Sequence, residues 1–209
     1  FASNAGAFSL GGNALRFDGA NSLLLQNSSS GVAILSEVQL AASLAVDGPG
    51  TVTLAGNLAR AIGANRDTLV LTKRGAGTLV LASANTYDAT VRIDGGQVQL
   101  RHVQSLQNAN VALNIDNGLS FGTLAQATLA GLSGAGALGL GTTALTIGGA
   151  DTVGLYSGNI TGTTGTVTKS GSGTARWAGN SKFDRLQVTA GRMQLEGGAL
   201  MLTNGSEGL

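Results

Sequence analysis

Apolar and polar residues alternate in short runs along most of the chain, as in Thr51-Val52-Thr53-Leu54, Val91-Arg92-Ile93, Val98-Gln99-Leu100 and Val111-Ala112-Leu113-Asn114-Ile115. A period of two puts every second side chain on the same side, so these runs predict strands with one buried face. Most of them close on a turn signal: Phe17-Asp18-Gly19, Val46-Asp47-Gly48, Ile93-Asp94-Gly95-Gly96 and Ile115-Asp116-Asn117-Gly118. Gly, Asn and Asp accept the left-handed backbone angles that sharp corners need. Ile93 and Ile115 are 22 residues apart, and Gly50-Thr51 and Gly77-Thr78 are 27 apart, which leaves room for three short strands between equivalent corners. Tight hairpins would reverse the chain about every ten residues. The longer spacing instead predicts an all-β fold, a right-handed parallel β-helix whose three-strand coils each lie on the coil before.

Two segments fit the alternation less well. Val32 to Leu44 has Ile34, Leu35, Val38 and Ala42 at helical spacing, but Val38-Gln39-Leu40 alternates and runs into the Val46-Asp47-Gly48 corner, so strand is preferred to helix there. Arg101 to Asn110 has no clear alternation and is expected to be a loop with a helical turn outside the coil.

The chain also repeats itself. Leu71 to Tyr87 returns in degraded form at Val167 to Phe183, with Lys73, Gly75, Gly77, Thr78, Leu81 and Tyr87 matching Lys169, Gly171, Gly173, Thr174, Trp177 and Phe183 at an offset of 96. After one dropped residue, Val91, Ile93, Gly96, Val98 and Leu100 match Leu186, Val188, Gly191, Met193 and Leu195 at an offset of 95. A shorter echo lies at Gly48 to Asn57. Self-similarity of this kind marks a stacked architecture, so residues 1–209 are read as one solenoid segment with repeats at 71–100 and 167–195.

Comparing the copies assigns the faces. Val80 aligns with Arg176 and Arg92 with Gln187, each between two apolar positions. An unpaired charge in a dry stack would cost on the order of several kcal/mol, which predicts Arg176, and Val80 with it, on the outer face. Leu79, Leu81, Val91, Ile93, Val98 and Leu100 then point inward. Trp177 replaces Leu81 while Ala175 replaces Leu79, a volume exchange expected of a buried tryptophan.

Composition agrees with a thin stack. The 209 residues include 34 glycines, one proline and no cysteine, and only 4% are aromatic. Branched aliphatics of similar size suit narrow layers better than a compact core, which uses more aromatic bulk. Only 11% are charged and the net charge is +1, so no basic stripe marks a nucleic-acid partner. The absence of cysteine fits either a reducing compartment or an exported chain that must stay threadable. Asn117 to Ala150 lacks charge, but Gly, Ser and Thr interrupt it throughout, so no membrane insertion is expected. Phe1 is not a natural start, and the sequence is read as a piece of a longer polypeptide.

The run Leu-Thr-Lys-x-Gly-x-Gly-Thr-Leu-x-Leu from Leu71, followed by Ala-Asn-Thr-Tyr, an apolar strand, Gly-Gly and Val-x-Leu, closely resembles the passenger-associated repeat of bacterial autotransporters. Leu129 to Leu138 and Tyr156 to Gly162 resemble the lead-in that often precedes such repeats. The second copy departs from the pattern at Ala175, Arg176 and Ser181-Lys182-Phe183. The resemblance implies a right-handed β-helical passenger, exported through a C-terminal outer-membrane barrel of its own chain and displayed on a Gram-negative surface. These 209 residues hold no barrel, so the resemblance makes them an interior portion of such a passenger.

Candidate chemistry is sparse. His102 is the single histidine, and no Gly-x-Ser-x-Gly elbow frames a serine for it to activate. With one histidine and no cysteine, a His/Cys metal centre lacks the ligands it needs. Gly148-Gly149-Ala150-Asp151 has the look of the start of a calcium-binding nonapeptide, but it occurs once, and such ligand carboxylates come in tandem. Asp94 and Asp116 are one coil apart, near Arg92, as in polysaccharide-acting β-helices, yet each sits at a corner where its side chain is expected to bond to nearby backbone N–H groups. Gly75-Ala76-Gly77 is a corner with no helix after it, unlike a phosphate loop. No catalytic, cofactor or metal residue is assigned. The first reading is a non-catalytic stalk or adhesin segment of a displayed passenger, with a host or abiotic surface, or a glycan, as partner. A polysaccharide-acting enzyme is the alternative, and self-association through open β-helix ends into a filament is a third.

Overall fold

The computed structural model describes residues 1–148 and 154–204, together with the backbone of residues 206–207. Among these residues there are twenty-six strands and no helix, and every strand pairing is parallel. The chain winds as a three-faced solenoid whose strands hydrogen-bond along the axis. Val32–Ile34, Val38–Leu40 and Leu44–Asp47 are all strands, so the alternation outweighs the helical spacing in that segment.

Face one carries ten strands, one per coil, from Phe8–Leu10 to Leu200–Leu202. They form a six-stranded and a four-stranded sheet, joined where Asn117 N–H donates to the Ala137 carbonyl at 2.8 Å. At ~4.8 Å per layer the ten coils extend about 43 Å. Coil length varies from 19 residues, between Leu79 and Val98, to 27, between Val52 and Leu79.

The other two faces share strands in an unusual way. A ten-stranded sheet runs from Ser22–Leu25 to Ser206–Glu207, but it changes face midway. Leu106–Leu113 and Gln126–Ser133 are eight residues long and bend round a corner, with a register shift between Leu106 and Asn110. The second part of Leu106–Leu113 pairs back to Thr90–Ile93, whereas the first part of Gln126–Ser133 pairs forward to Ala144–Ile147. Face three therefore continues past Ser133 through the Gly134–Tyr156 bridge into Leu155–Tyr156, Thr174–Trp177 and Arg192–Leu195. Face two takes over the rest of the ten-stranded sheet.

The two repeats consequently sit on different faces. Strands 70–73 and 78–81 of the first copy lie on faces three and one, and strands 166–169 and 174–177 of the second lie on faces two and three. From Lys73 the row on face three passes Ile93, Leu113, Gly134 and Tyr156, four coils on. Lys169 comes two faces later. The offset of 96 residues thus spans four and two-thirds coils, and the second copy is turned by one face.

Inside, Leu79, Leu81, Val91, Ile93, Val98 and Leu100 are at most 1% exposed, as the comparison of copies predicts. Val80 departs from the expectation, being only 2% exposed. It has outward parity, in register with Thr53 and Gln99, and these neighbours one layer away on each side shield so short a side chain. The segment 101–110 is also more ordered than expected. Only 101–105 form the turn, while Leu106 and Ala109 are buried in a strand whose bulge conceals its alternation.

Candidate functional site

The repeat motif spends its characteristic residues at the corners. Lys73 follows Leu71 at the inward parity and is flanked in register by Val46 and Ile93. It is 1% exposed, and Lys169, between Ile147 and Val188, is 2% exposed. The ammonium of Lys73 donates to the carbonyls of Arg74, of Gly75 at 3.0 Å and of Gly95 at 3.4 Å. That of Lys169 donates to the carbonyls of Ser170, of Gly171 at 2.9 Å and of Ala190 at 3.4 Å. Each lysine therefore ties the corner of its own coil to the corner of the next. Burial lowers the pKa of Lys73, and the Asp47 carboxylate pulls it back up.

The glycines follow from this arrangement. Gly75 and Gly171 turn the corner at φ of +66° and +73°, so their carbonyls face inward to the ammonium. A Cβ on Gly96 or Gly191 would lie 2.8 or 2.9 Å from the lysine nitrogen. Corners 48–50, 75–77 and 95–96 stack directly, with Gly77 N–H donating to the Gly48 carbonyl at 2.9 Å, which accounts for the third echo in the sequence.

The second half of the motif closes another corner. Asn85 is buried; its Oδ1 accepts the Leu58 N–H at 2.9 Å and its Nδ2 donates to the Ser105 carbonyl at 3.0 Å. Tyr87 O–H donates to the Thr90 carbonyl at 3.1 Å, and burial raises the pKa of the phenol. In the second copy Ser181 Oγ accepts the Ile160 N–H at 3.1 Å, keeping the acceptor role of Asn85. Phe183 keeps the ring and loses the hydroxyl. It packs edge-on to Trp177 with centroids 6.1 Å apart, and Tyr156 also meets the indole edge-on, at 6.4 Å. The row beside these rings on face three is small, with Gly154 and Ala175 where Val91 and Val111 stand lower in the stack.

Trp177 is 3% exposed, and Arg176 beside it pairs outward with Glu196. Native indole emission is expected to be blue-shifted and weakly quenched by iodide, shifting red in denaturant. Emission already at the wavelength of free indole in water would contradict this packing.

The other candidate residues do not converge. His102 Nδ1 accepts the Gln104 N–H at 3.1 Å and closes the 101–105 turn. Asp94 does not bond to corner backbone as expected; it pairs with Arg92 at 2.8 Å and accepts from Asn114 Nδ2 at 2.7 Å. Asp116 accepts the Ala137 N–H at 2.7 Å, one coil up. Their carboxylates are satisfied separately, Asp94 by its own strand and by the next coil, Asp116 by the next coil. Residues 149–151 of Gly148-Gly149-Ala150-Asp151 lie outside the described residues. Among the described residues no three His, Cys, Asp or Glu side chains are grouped to hold a metal, and no helix is long and apolar enough to cross a membrane.

Sequence reasoning aligned Lys73 with Lys169 but missed their role. The signal was their parity, since an alternation that buries Leu71 also buries the lysine two residues on.

No curated protein and no solved structure matches the chain. The model of the passenger-associated-transport-repeat family matches residues 71–100, the stretch that begins with the first lysine corner and ends at the strand stacked on it. The match, together with the ten-coil parallel solenoid, fits a segment of an autotransporter passenger.

Proposed function

We propose that this chain is a non-catalytic stalk segment of an autotransporter passenger displayed on, or released from, a Gram-negative cell surface, where it extends the passenger and presents its faces. The observation that supports this most is where the repeat motif goes. Lys73 and Asn85 are consumed in holding one coil to the next and Tyr87 in closing its own corner, so the characteristic residues of the motif build length. Display is tested by placing the segment between an export signal and an outer-membrane barrel in a Gram-negative host. Antibody labelling and protease trimming on intact cells should reach it. Retention inside the cell, with the barrel assembled, would overturn the reading.

The absence of catalysis is tested separately. Incubation with acidic and neutral polysaccharides, with and without calcium, is expected to release no reducing or unsaturated ends. Release that Asp94→Asn or Asp116→Asn abolishes would establish the enzymatic alternative.

A further inference from the structure

The outer row of face one reads Ala33, Thr53, Val80, Gln99 and Ser120 from coil to coil in the first sheet, and Gly139, Thr161 and Lys182 in the second. It carries no acidic residue and is nearly flat. Toward its C-terminal end it sinks. One open depression of about 580 Å³ is floored by Gly139, Gly141 and Gly162 and walled by Thr161, Thr163, Lys182 and Thr203. A second, of about 240 Å³, shares Gly139 and Gly141 and reaches Ser120 and Asn117. Together they make a groove along the rod axis over five coils, about 19 Å long at ~4.8 Å per layer.

Packing does not require its floor to be empty. A Cβ on Gly139 would meet only Asn117 Oδ1, at 3.8 Å, and Gly139 does not have a positive φ. A side chain there would fit the fold and fill the groove. Lys182 is exposed at the rim, and its ammonium makes no hydrogen bond or ion pair among the described residues. The four ion pairs of the described residues tie up Arg60, Arg74, Arg92 and Arg176 elsewhere. Asp184 accepts from Thr203 Oγ1 at 3.0 Å and from Asn204, and Asp116 accepts the Ala137 N–H.

We infer that this groove binds an extended acidic polysaccharide. The glycine floor offers a flat C–H surface to the apolar face of a sugar ring, Ser120 and Thr161 offer hydroxyls along its length, and the Lys182 ammonium meets a carboxylate or sulfate. A peptide strand has no purchase here, because the sheet beneath is paired within itself and offers an edge only at the ends of the stack. The inference gives a ligand class to the presenting surface proposed above and rests on that reading for its setting alone, since binding is measured on purified protein and display on cells.

Affinity electrophoresis with polygalacturonate, heparin and neutral dextran tests it. Retardation is expected with an acidic polymer and not with dextran; the two acidic polymers separate carboxylate from sulfate recognition. Gly139→Phe fills the groove, and Lys182→Glu or Lys182→Gln removes the cation. Each should weaken binding at least tenfold with an unchanged melting curve. Arg16→Glu makes the same charge change on face two at the far end of the rod and should leave binding intact. The inference fails if no acidic polymer retards the parent protein, if Arg16→Glu weakens binding as much as Lys182→Glu, or if single-stranded DNA is retarded equally.

Discussion

Lys73→Met is expected to lower unfolding stability by about 3 kcal/mol. Methionine matches the stem in length and apolar character, so the loss isolates the ammonium. Three corner carbonyls, of Arg74, Gly75 and Gly95, lose their donor. Buried acceptors without partners cost about 1–3 kcal/mol each. Opposing this, the variant no longer desolvates a charge, and replacing whole buried ion networks by apolar groups can be neutral. Here only one side of the interaction is removed, so the unpaired carbonyls should dominate. Urea unfolding followed by β-sheet circular dichroism measures the difference, and Lys169→Met should act in the same direction. If Lys73→Met leaves the protein as stable as the parent, the lysines are tolerated in the stack and hold nothing together.

Leu81→Asp and Ile93→Asp are expected to abolish folding, whereas Gln99→Asp and Arg92→Asp should be nearly neutral. Leu81 and Ile93 are 0% exposed in the central coils, and an unpaired carboxylate there costs several kcal/mol, about the whole stability of a small domain. Gln99 has outward parity. Arg92 gives up its pairing with Asp94, a surface contact worth about 1 kcal/mol or less. Thermal melts of the four variants decide the matter, and equal loss of signal in all of them would invalidate the inward register.

Strands and their buried sides were legible wherever alternation was strict, as at 78–81, 91–93 and 97–100, because period two has one structural meaning when one face must be dry. The Asp-Gly and Gly-x-Gly corners were legible for the same local reason. Alternation reports direction, though, and exposure depends on neighbours supplied by other coils, so Val80 was misjudged. The strand at 106–113 was hidden by its bulge. The one-face turn between repeats was hidden by coil lengths that vary from 19 to 27 residues, since an offset of 96 locates a face only when every intervening loop is known. As for the lysine corners, the residues stood out in the alignment, but their chemistry depends on carbonyls brought in by the following coil.

The one-face turn also bears on how such a gene can change. A crossover between the two copies would delete 96 residues and join one lysine corner to the equivalent strand of the other, with alternation unbroken at the junction. The product would still be able to wind. It would be shorter by four coils and two-thirds of a fifth, however, so every strand beyond the junction would move to the next face. Lys182, carried downstream of the junction, would then leave the face it shares with Ala33 and Thr53. In this protein, a change of length by recombination is therefore also a rotation of everything downstream, and one genetic event yields both a shorter rod and a differently arranged surface.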